Sequence, residues 1–263
     1  MDLQLKNKSA FVTGSSRGLG YAIARLLAIE GCRVAINSRD DQRIHQAADQ
    51  LSAETHAEIL PLAGDVSLPE VPASLIENIS QSFGGLDLLV TNAAGPPSGK
   101  FEAFDDAIWQ KSIELSLGSH VRLIRAALPY LRKSECPSVV TMTSYSVKQP
   151  IPNLVLSNSI RAATIGLTKS LALELGAEGI RFNSILPGWT STERIQQLMS
   201  FRAKANGTTV DEEIALQSKE IALGRMARPE EIANATVFLL SPLASYITGV
   251  MLTVDGGIYK GTL

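Results

Sequence analysis

Thr13-Gly14-Ser15-Ser16-Arg17-Gly18-Leu19-Gly20 is the stretch that decides the fold. It closes an apolar, β-forming run predicted as a strand over residues 9–13 and opens Tyr21-Ala22-Ile23-Ala24-Arg25-Leu26-Leu27, whose spacing is helical. A glycine-rich turn between strand and helix lets backbone N–H groups and the helix's positive end face a pyrophosphate without side-chain obstruction. The glycines are spaced G-x-x-x-G-x-G, not G-x-G-x-x-G. A tight turn that needs glycine only for positive φ is the alternative reading, and the strand–turn–helix context weighs against it.

Outward from this point, short β-branched runs alternate with helix-period segments to the end of the chain. The pattern predicts strands over residues 9–13, 33–37, 59–63, 86–91, 138–143, 181–186 and 250–254, each apolar enough to be buried on both faces. Helices are predicted over 19–30, 42–54, 71–83, a long pair within 104–133, 157–176 and 229–240. The expected architecture is α/β: one seven-stranded, parallel, doubly wound sheet with helices on both faces. On the helix from Ser157, Ile160, Thr164, Leu167, Leu171 and Leu175 form an apolar stripe, while Ala162, Ala163 and Gly166 permit close helix approach. Residues 189–226 break the alternation, being polar, too long for an ordinary connection and made of two helix-like pieces divided by Gly207. They are read as a substrate loop or lid within a single domain spanning 1–263.

Composition sets the outer bounds. The 263 residues are 45% hydrophobic, enough for a core without disulfide or metal staples. A net charge of −2 argues against a nucleic-acid footprint or a polybasic membrane surface. The start, Met1-Asp2-Leu3-Gln4-Leu5-Lys6-Asn7-Lys8, lacks the apolar run of a secretory leader, and only Cys32 and Cys136 are present, so a reducing cytoplasm is expected. No run approaches the ~20 apolar residues of a transmembrane helix. His45, His56 and His120 show no metal-ligand spacing and are read as solvated or helix-face residues.

The second predicted strand leads into Ser38-Arg39, about 20 residues beyond the glycine loop, where the ribose-facing residue of a dinucleotide site belongs. A carboxylate there would bond both ribose hydroxyls of NAD. Ser38 offers instead a hydroxyl and Arg39 a guanidinium fork, with Arg17 as a second cation. NADP(H) is therefore the expected cofactor, and surface pairing of the two arginines with Asp40 and Asp41 is the alternative.

These motifs resemble the short-chain dehydrogenase/reductase family, and in particular its 3-oxoacyl-acyl-carrier-protein-reductase-like members. Besides residues 13–20, Asp65-Val66 resembles the family's adenine-contacting pair and Asn92-Ala93-Ala94-Gly95 its N-A-G turn. Pro187-Gly188-Trp189-Thr190-Ser191-Thr192 resembles the segment that holds the nicotinamide carboxamide, and Arg228-Pro229-Glu230-Glu231-Ile232-Ala233 and Val254-Asp255-Gly256-Gly257 resemble its carboxy-terminal signature. The resemblance implies a Rossmann fold, cofactor contacts from Gly14, Ser16, Arg17, Gly18, Leu19, Gly20, Ser38, Arg39, Asp65, Val66, Asn92, Ala93, Gly95, Arg161, Pro187, Gly188, Thr190 and Thr192, and a homotetramer. Its interfaces would use the 104–133 and 157–176 helices and the carboxy-terminal segment.

The active site departs from the family pattern. Ser144 stands at the end of the fifth strand, but thirteen residues on is Ser157 where the family has Tyr, and four further is Arg161 where it has Lys. Trp109 and Leu117-Gly118 set the register that puts Ser116 at the position of the family's Asn. A serine hydroxyl polarises an oxygen but is a poor general acid, and a guanidinium holds charge without shuttling a proton. Tyr145 is read first as a substrate-pocket or packing residue, with a displaced-acid role as the alternative, and Lys148 is a weaker candidate still. The predicted catalytic set is Ser144, Ser157 and Arg161, acting on a small-molecule acceptor that needs little acid help: an activated carbonyl, a quinone or an imine. The rival reading is an NADP(H)-binding sensor or regulatory protein with impaired turnover. Trp189, Tyr145, Leu154, Leu156, Met199 and Pro96-Pro97 are expected to line an apolar pocket, with Ile195, Leu198, Met199 and Phe201 as the lid's apolar face.

Overall fold

The computed structural model describes residues 2–262. Its first half runs β1 (Ser9–Val12), α1 (Gly18–Ile29), β2 (Arg33–Ser38), α2 (Asp41–Thr55), β3 (Ile59–Ala63), α3 (Val71–Phe83) and β4 (Leu88–Thr91). The second half runs α4 (Asp106–Ile113), a π-helical turn (Glu114–Gly118), α5 (Ser119–Leu131), β5 (Ser138–Met142), α6 (Val155–Leu175) and β6 (Arg181–Pro187). It continues through α7 (Glu193–Asn206), α8 (Val210–Ser218), α9 (Pro229–Leu240) and β7 (Met251–Val254). All seven strands pair in parallel in the order β3-β2-β1-β4-β5-β6-β7, as the periodicity predicts.

The period-2 pleat sorts side chains into two apolar layers. On one face Ala10 and Val12 of β1 join Ile23, Leu27, Ile44, Leu51, Ile232 and Val237 from α1, α2 and α9. On the other, Phe11 joins Leu89, Val139 and Phe182 under Ile76, Ile79, Leu123, Leu131 and Leu175 from α3, α5 and α6. The four central strands and β6 are buried except at the first and last residues of β2, whereas β3 and β7 are only partly buried. The expectation of burial on both faces fails at those two because each lies at a sheet edge with one neighbouring strand.

One helical reading is corrected. The buried row of α6 runs Ile160, Thr164, Thr168, Ala172 and Leu175, leaving Leu167 and Leu171 partly buried at its margin. The i, i+4 row carries the contact, and polar Thr168 is admitted because its hydroxyl bonds Thr141 Oγ1 at 2.9 Å and the Thr164 carbonyl at 2.9 Å. Residues 189–226 hold two helices, α7 and α8, on either side of Gly207, as the sequence reading expects. Gly207 ends α7 at φ +69°, and a reciprocal cap starts α8: Glu212 N–H donates to Thr209 Oγ1 at 3.2 Å while Thr209 N–H donates to the Glu212 carboxylate at 2.8 Å. The segment seats on a third apolar cluster of Tyr145, Trp189, Met199, Ile221, Met226 and Ile258.

The chain turns one way from β1 to β2 and β3, and the other way from β4 onward. That reversal opens a crevice beyond the carboxyl ends of β1 and β4, where open α/β sheets bind ligands.

Candidate active site

A cleft of about 480 Å³ occupies that crevice. The glycine loop forms its floor, with Gly14 at φ +58° and Gly18 at φ +61°, conformations that side chains with a Cβ rarely adopt. Neighbouring strands pin the loop. Asn92, after β4, donates from Nδ2 to the Thr13 carbonyl at 3.2 Å and the Gly14 carbonyl at 3.1 Å, while Thr13 Oγ1 donates to the Asn92 carbonyl at 2.7 Å. Ser15 Oγ donates to the Val12 carbonyl at 2.7 Å and accepts from Asn37 N–H at 2.9 Å. Asn37 in turn donates to the Leu62 and Gly64 carbonyls, both at 3.0 Å, tying β2 to the end of β3. The sequence reading passed over Asn37, a polar residue in an apolar strand.

Gly14, Ser16, Arg17, Gly18 and Leu19 line the cleft, together with Ser38, Arg39, Asp65 and Val66 along one wall and Asn92, Ala93 and Gly95 beside the loop. Pro187, Gly188, Thr190 and Thr192 close the far side, and Ser144, Ser157 and Arg161 lie between. Gly20 is the exception. It is buried, and a Cβ on it would meet the Gly14 carbonyl and stand 2.9 Å from Ser15 Cα, so this glycine permits helix-to-loop packing and does not face the cleft. Asp65 serves its own turn, accepting from Ser67 N–H at 2.9 Å and Ser67 Oγ at 2.7 Å.

The two cations differ in their surroundings. Arg17 pairs with Glu193 at the start of α7, across the mouth of the cleft. Arg39 is exposed and has no ion pair among the described residues; Asp40 caps α2 and pairs with Arg43, while Asp41 faces His45. The alternative of Arg17 and Arg39 neutralised by Asp40 and Asp41 is therefore not what the fold adopts.

At the other end of the cleft, β5 stops at Met142 and Ser144 caps a short 3₁₀ turn, its Oγ accepting from Ser146 N–H at 3.1 Å. Arg161 reaches back from α6 so that Nη1 donates to the Met142 carbonyl at 3.0 Å and the Thr143 carbonyl at 2.9 Å. Burial first, and the neighbouring Arg194 charge second, lower its pKa to about 10, so it remains a cation at neutral pH. Ser157 sits half-buried one helical turn earlier. Ser116 lies in the π-helical turn with its carbonyl accepting from Thr164 Oγ1 at 2.8 Å, and its own hydroxyl is buried with no hydrogen-bond partner among the described residues.

His120 corrects the surface reading. It is fully buried on α5, its Nδ1 2.5 Å from Thr91 Oγ1, and burial followed by the Arg161 charge lowers its pKa to about 3. His45 and His56 are exposed. Tyr145 takes the expected pocket place: the 3₁₀ turn relaxes strand alternation, so both Ser144 and Tyr145 line the cleft. The Tyr145 hydroxyl accepts from Trp189 Nε1 at 3.1 Å, and burial holds the phenol above its ordinary pKa, weakening it as an acid.

The predicted apolar lining is also adjusted. Tyr145, Leu154, Trp189, Pro96, Ile195 and Leu198 line the cleft. Leu156 and Met199 are wholly buried, Pro97 borders a small neighbouring hollow, and Phe201 is 72% exposed on the outer side of α7. Sequence reasoning did not single out Glu193 and Arg194, which fall on the first turn of α7, within the segment read as a substrate loop or lid, where the chain passes the cleft mouth.

The model of the family described as Enoyl-(Acyl carrier protein) reductase matches residues 14–259. Dehydrogenase/reductase SDR family member 4 of Oryctolagus cuniculus is 35% identical over 254 residues, covering 96% of this chain and 94% of that protein. The 3-oxoacyl-acyl-carrier-protein reductase FabG of Chlamydia trachomatis is 32% identical, covering 97% and 98%. Among solved structures, L-sorbose reductase from Gluconobacter frateurii, complexed with NADPH and L-sorbose, superposes with a TM-score of 0.96 at 34% identity over 99% of this chain and 100% of that one. An NADPH-bound short chain oxidoreductase from Pseudomonas aeruginosa PAO1 containing an atypical catalytic center gives a TM-score of 0.90 at 29% identity, covering 98% and 100%. With its fold, its glycine loop and these matches along nearly the whole chain, the protein belongs to the short-chain dehydrogenase/reductase family of oxidoreductases.

Proposed function

We propose that this oxidoreductase uses NADP(H) to reduce an activated carbonyl, quinone or imine acceptor through Ser144, Ser157 and Arg161. The observation that carries the reading is the placement of Arg161: it lies in the same cleft as the glycine loop, permanently charged, and anchored by the last carbonyls of β5. A fixed cation in a poorly solvated site stabilises negative charge that develops on an acceptor oxygen or nitrogen. Ser144 and Ser157 supply hydroxyls to polarise that atom, and the proton comes from water, since neither serine nor guanidinium is a general acid near neutral pH.

The cleft suits the cofactor. A loop with φ > 0 glycines exposes backbone N–H groups to a pyrophosphate, and unpaired Arg39 is available to a 2′-phosphate. NADPH supplies the hydride when bound; the chain binds it, keeps water from the apolar wall of Leu154, Ile195 and Leu198, and positions the acceptor. As the family resemblance implies, we propose a homotetramer. The α6 face carrying Ala162, Ala163 and Gly166 is exposed, and Leu173 on the same helix is 75% exposed.

A panel of activated dicarbonyls, quinones, cyclic imines and simple ketones, assayed by NADPH oxidation, tests the activity. The activated acceptors are expected to turn over and simple ketones to react at least about a hundredfold more slowly, the usual lower bound for a missing acid. Arg161, near pKa 10, His120, near 3, and Tyr145, raised above 10.0, leave no titration between about pH 6 and pH 9, so the rate is expected to be flat there once substrate ionisation is subtracted. Binding of NADPH with no acceptor reduced would overturn the reductase reading in favour of a sensor.

A further inference from the structure

We infer that Arg194 and Arg161 together form an anion site at the acceptor end of the cleft, so that the molecule reduced is a short oxo acid held by its carboxylate. The inference rests on the reductase reading and names its substrate class. Nη2 of Arg194 and Nη2 of Arg161 lie 3.1 Å and 3.6 Å from the single point that a Cβ on Gly95 would occupy. Two guanidinium tips thus converge above the loop that follows β4, in space open only because residue 95 lacks a side chain.

Neither guanidinium has a carboxylate within ion-pair distance among the described residues. Arg17, Arg25, Arg122, Arg132 and Arg225 all do. Buried Arg181 instead gives its N–H groups to the carbonyls of Leu239, Leu240, Ser241 and Ile247. Arg161 uses Nη1 on two carbonyls, and Arg194 has one long bond, Nη2 to the Pro96 carbonyl at 3.4 Å. Burial lowers the pKa of both, and their mutual repulsion adds to the effect at Arg161. Two adjacent cations with surplus donors and reduced solvation are relieved by one anion, and a planar carboxylate matches the guanidinium fork. The carboxylates lining the cleft are Asp65, engaged with Ser67, and Glu193, engaged with Arg17, so neither fills the gap.

The apolar neighbours set the rest of the ligand. Leu154, Ile195 and Leu198 line the same cleft and fit a short hydrocarbon chain. An oxo acid brings its own activation, because the electron-poor carbonyl accepts hydride at carbon, its π electrons move to oxygen, and water protonates that oxygen. The acid becomes a hydroxy acid and NADPH becomes NADP⁺. The guanidiniums hold the carboxylate and stabilise the oxygen charge, the task left open where the sequence has Ser157 and Arg161.

An inert acid–amide pair tests this without turnover. Trp189 lines the cleft, so intrinsic fluorescence reports binding of hexanoate and hexanamide to the protein saturated with NADP⁺. Hexanoate is expected to bind about tenfold tighter or more, the effect of one charge-assisted contact. Arg194→Gln should erase most of that preference while leaving NADP⁺ affinity within about twofold, and Arg194→Lys should keep part of it. Equal binding of acid and amide to the unaltered protein would overturn the inference, whatever the variants do. So would a loss of about tenfold in NADP⁺ affinity in Arg194→Gln with the acid preference intact, which assigns Arg194 to the cofactor's pyrophosphate. The NADP⁺ titration precedes the pair: failure there removes the reductase reading, and the hexanoate preference is then measured on nucleotide-free protein, where the anion site stands or falls by itself.

Discussion

At the scale of single residues, burial decides which groups titrate. His120 takes up a proton near pH 6.5 when unfolded and only near 3 in the folded chain, because protonation there would place a charge in the core beside Arg161. The folded state therefore loses stability as the pH falls below about 6.5, by up to about 1.4 kcal/mol per unit, and the effect vanishes above that pH. His120→Gln, which can still bond Thr91 but does not titrate, should lose about 2 kcal/mol less than the unaltered protein between pH 7 and pH 5. Urea midpoints at the two pH values check this; parallel losses would contradict it. Arg39 presents the complementary case of an exposed, unpaired cation. Arg39→Ala is expected to weaken NADPH binding by about ten- to a hundredfold, the range of a charge-assisted hydrogen bond, and NADH binding hardly at all. Nicotinamide fluorescence titrations with both nucleotides measure the ratio, and an unchanged ratio would remove Arg39 from the phosphate site.

At the scale of elements, the glycine loop and α7 meet through one contact, Arg17 with Glu193, both half-exposed at the cleft mouth. An exposed ion pair contributes only about 0.2–1 kcal/mol, so the bond is weak enough for an incoming phosphate to replace. Freeing Arg17 by Glu193→Gln should tighten NADPH binding by up to about fivefold, with a steeper salt dependence, because the competing carboxylate is gone. Titrations at low and moderate salt decide the matter; weaker binding would mean that the Glu193 contact organises the loop. The π-helical turn between α4 and α5 acts differently. It places the Ser116 carbonyl against Thr164 of α6, locking the register of the helix that carries Ser157 and Arg161.

At the scale of the whole molecule, the two faces of the sheet are covered, and the remaining apolar exposure is concentrated outside the sheet: Leu173 on α6, Phe101 before α4 and Tyr246 before β7 are 75%, 67% and 103% exposed. An apolar residue on a helix face of small side chains gains by burial against a copy of itself. The proposed tetramer of the 28.2 kDa chain should therefore be seen in light scattering at micromolar concentration, and Leu173→Glu should shift it to smaller species. A monomeric unaltered protein would refute the assembly and leave the cleft, built wholly from one chain, unaffected.

Much of this protein was legible in its sequence because local physics writes itself in order along the chain. The alternation of apolar strands with helix-period segments, the glycine turn before α1 and the stop at Gly207 each depend on near neighbours, and the seven-stranded parallel sheet follows from them. The family resemblance, not residue identity alone, marks Ser157 and Arg161 as departures, and their catalytic role rests on the proposed function. Only the tertiary structure decided what depends on residues far apart in the chain: that β3 and β7 are edges, that His120 is buried and neutral, and that Gly20 packs against the loop and does not face the cleft. It also decided that Arg194, in the segment read as a lid, comes to stand beside Arg161 over Gly95. Desolvation and charge convergence are properties of the space between elements, and no spacing along a single chain encodes them directly.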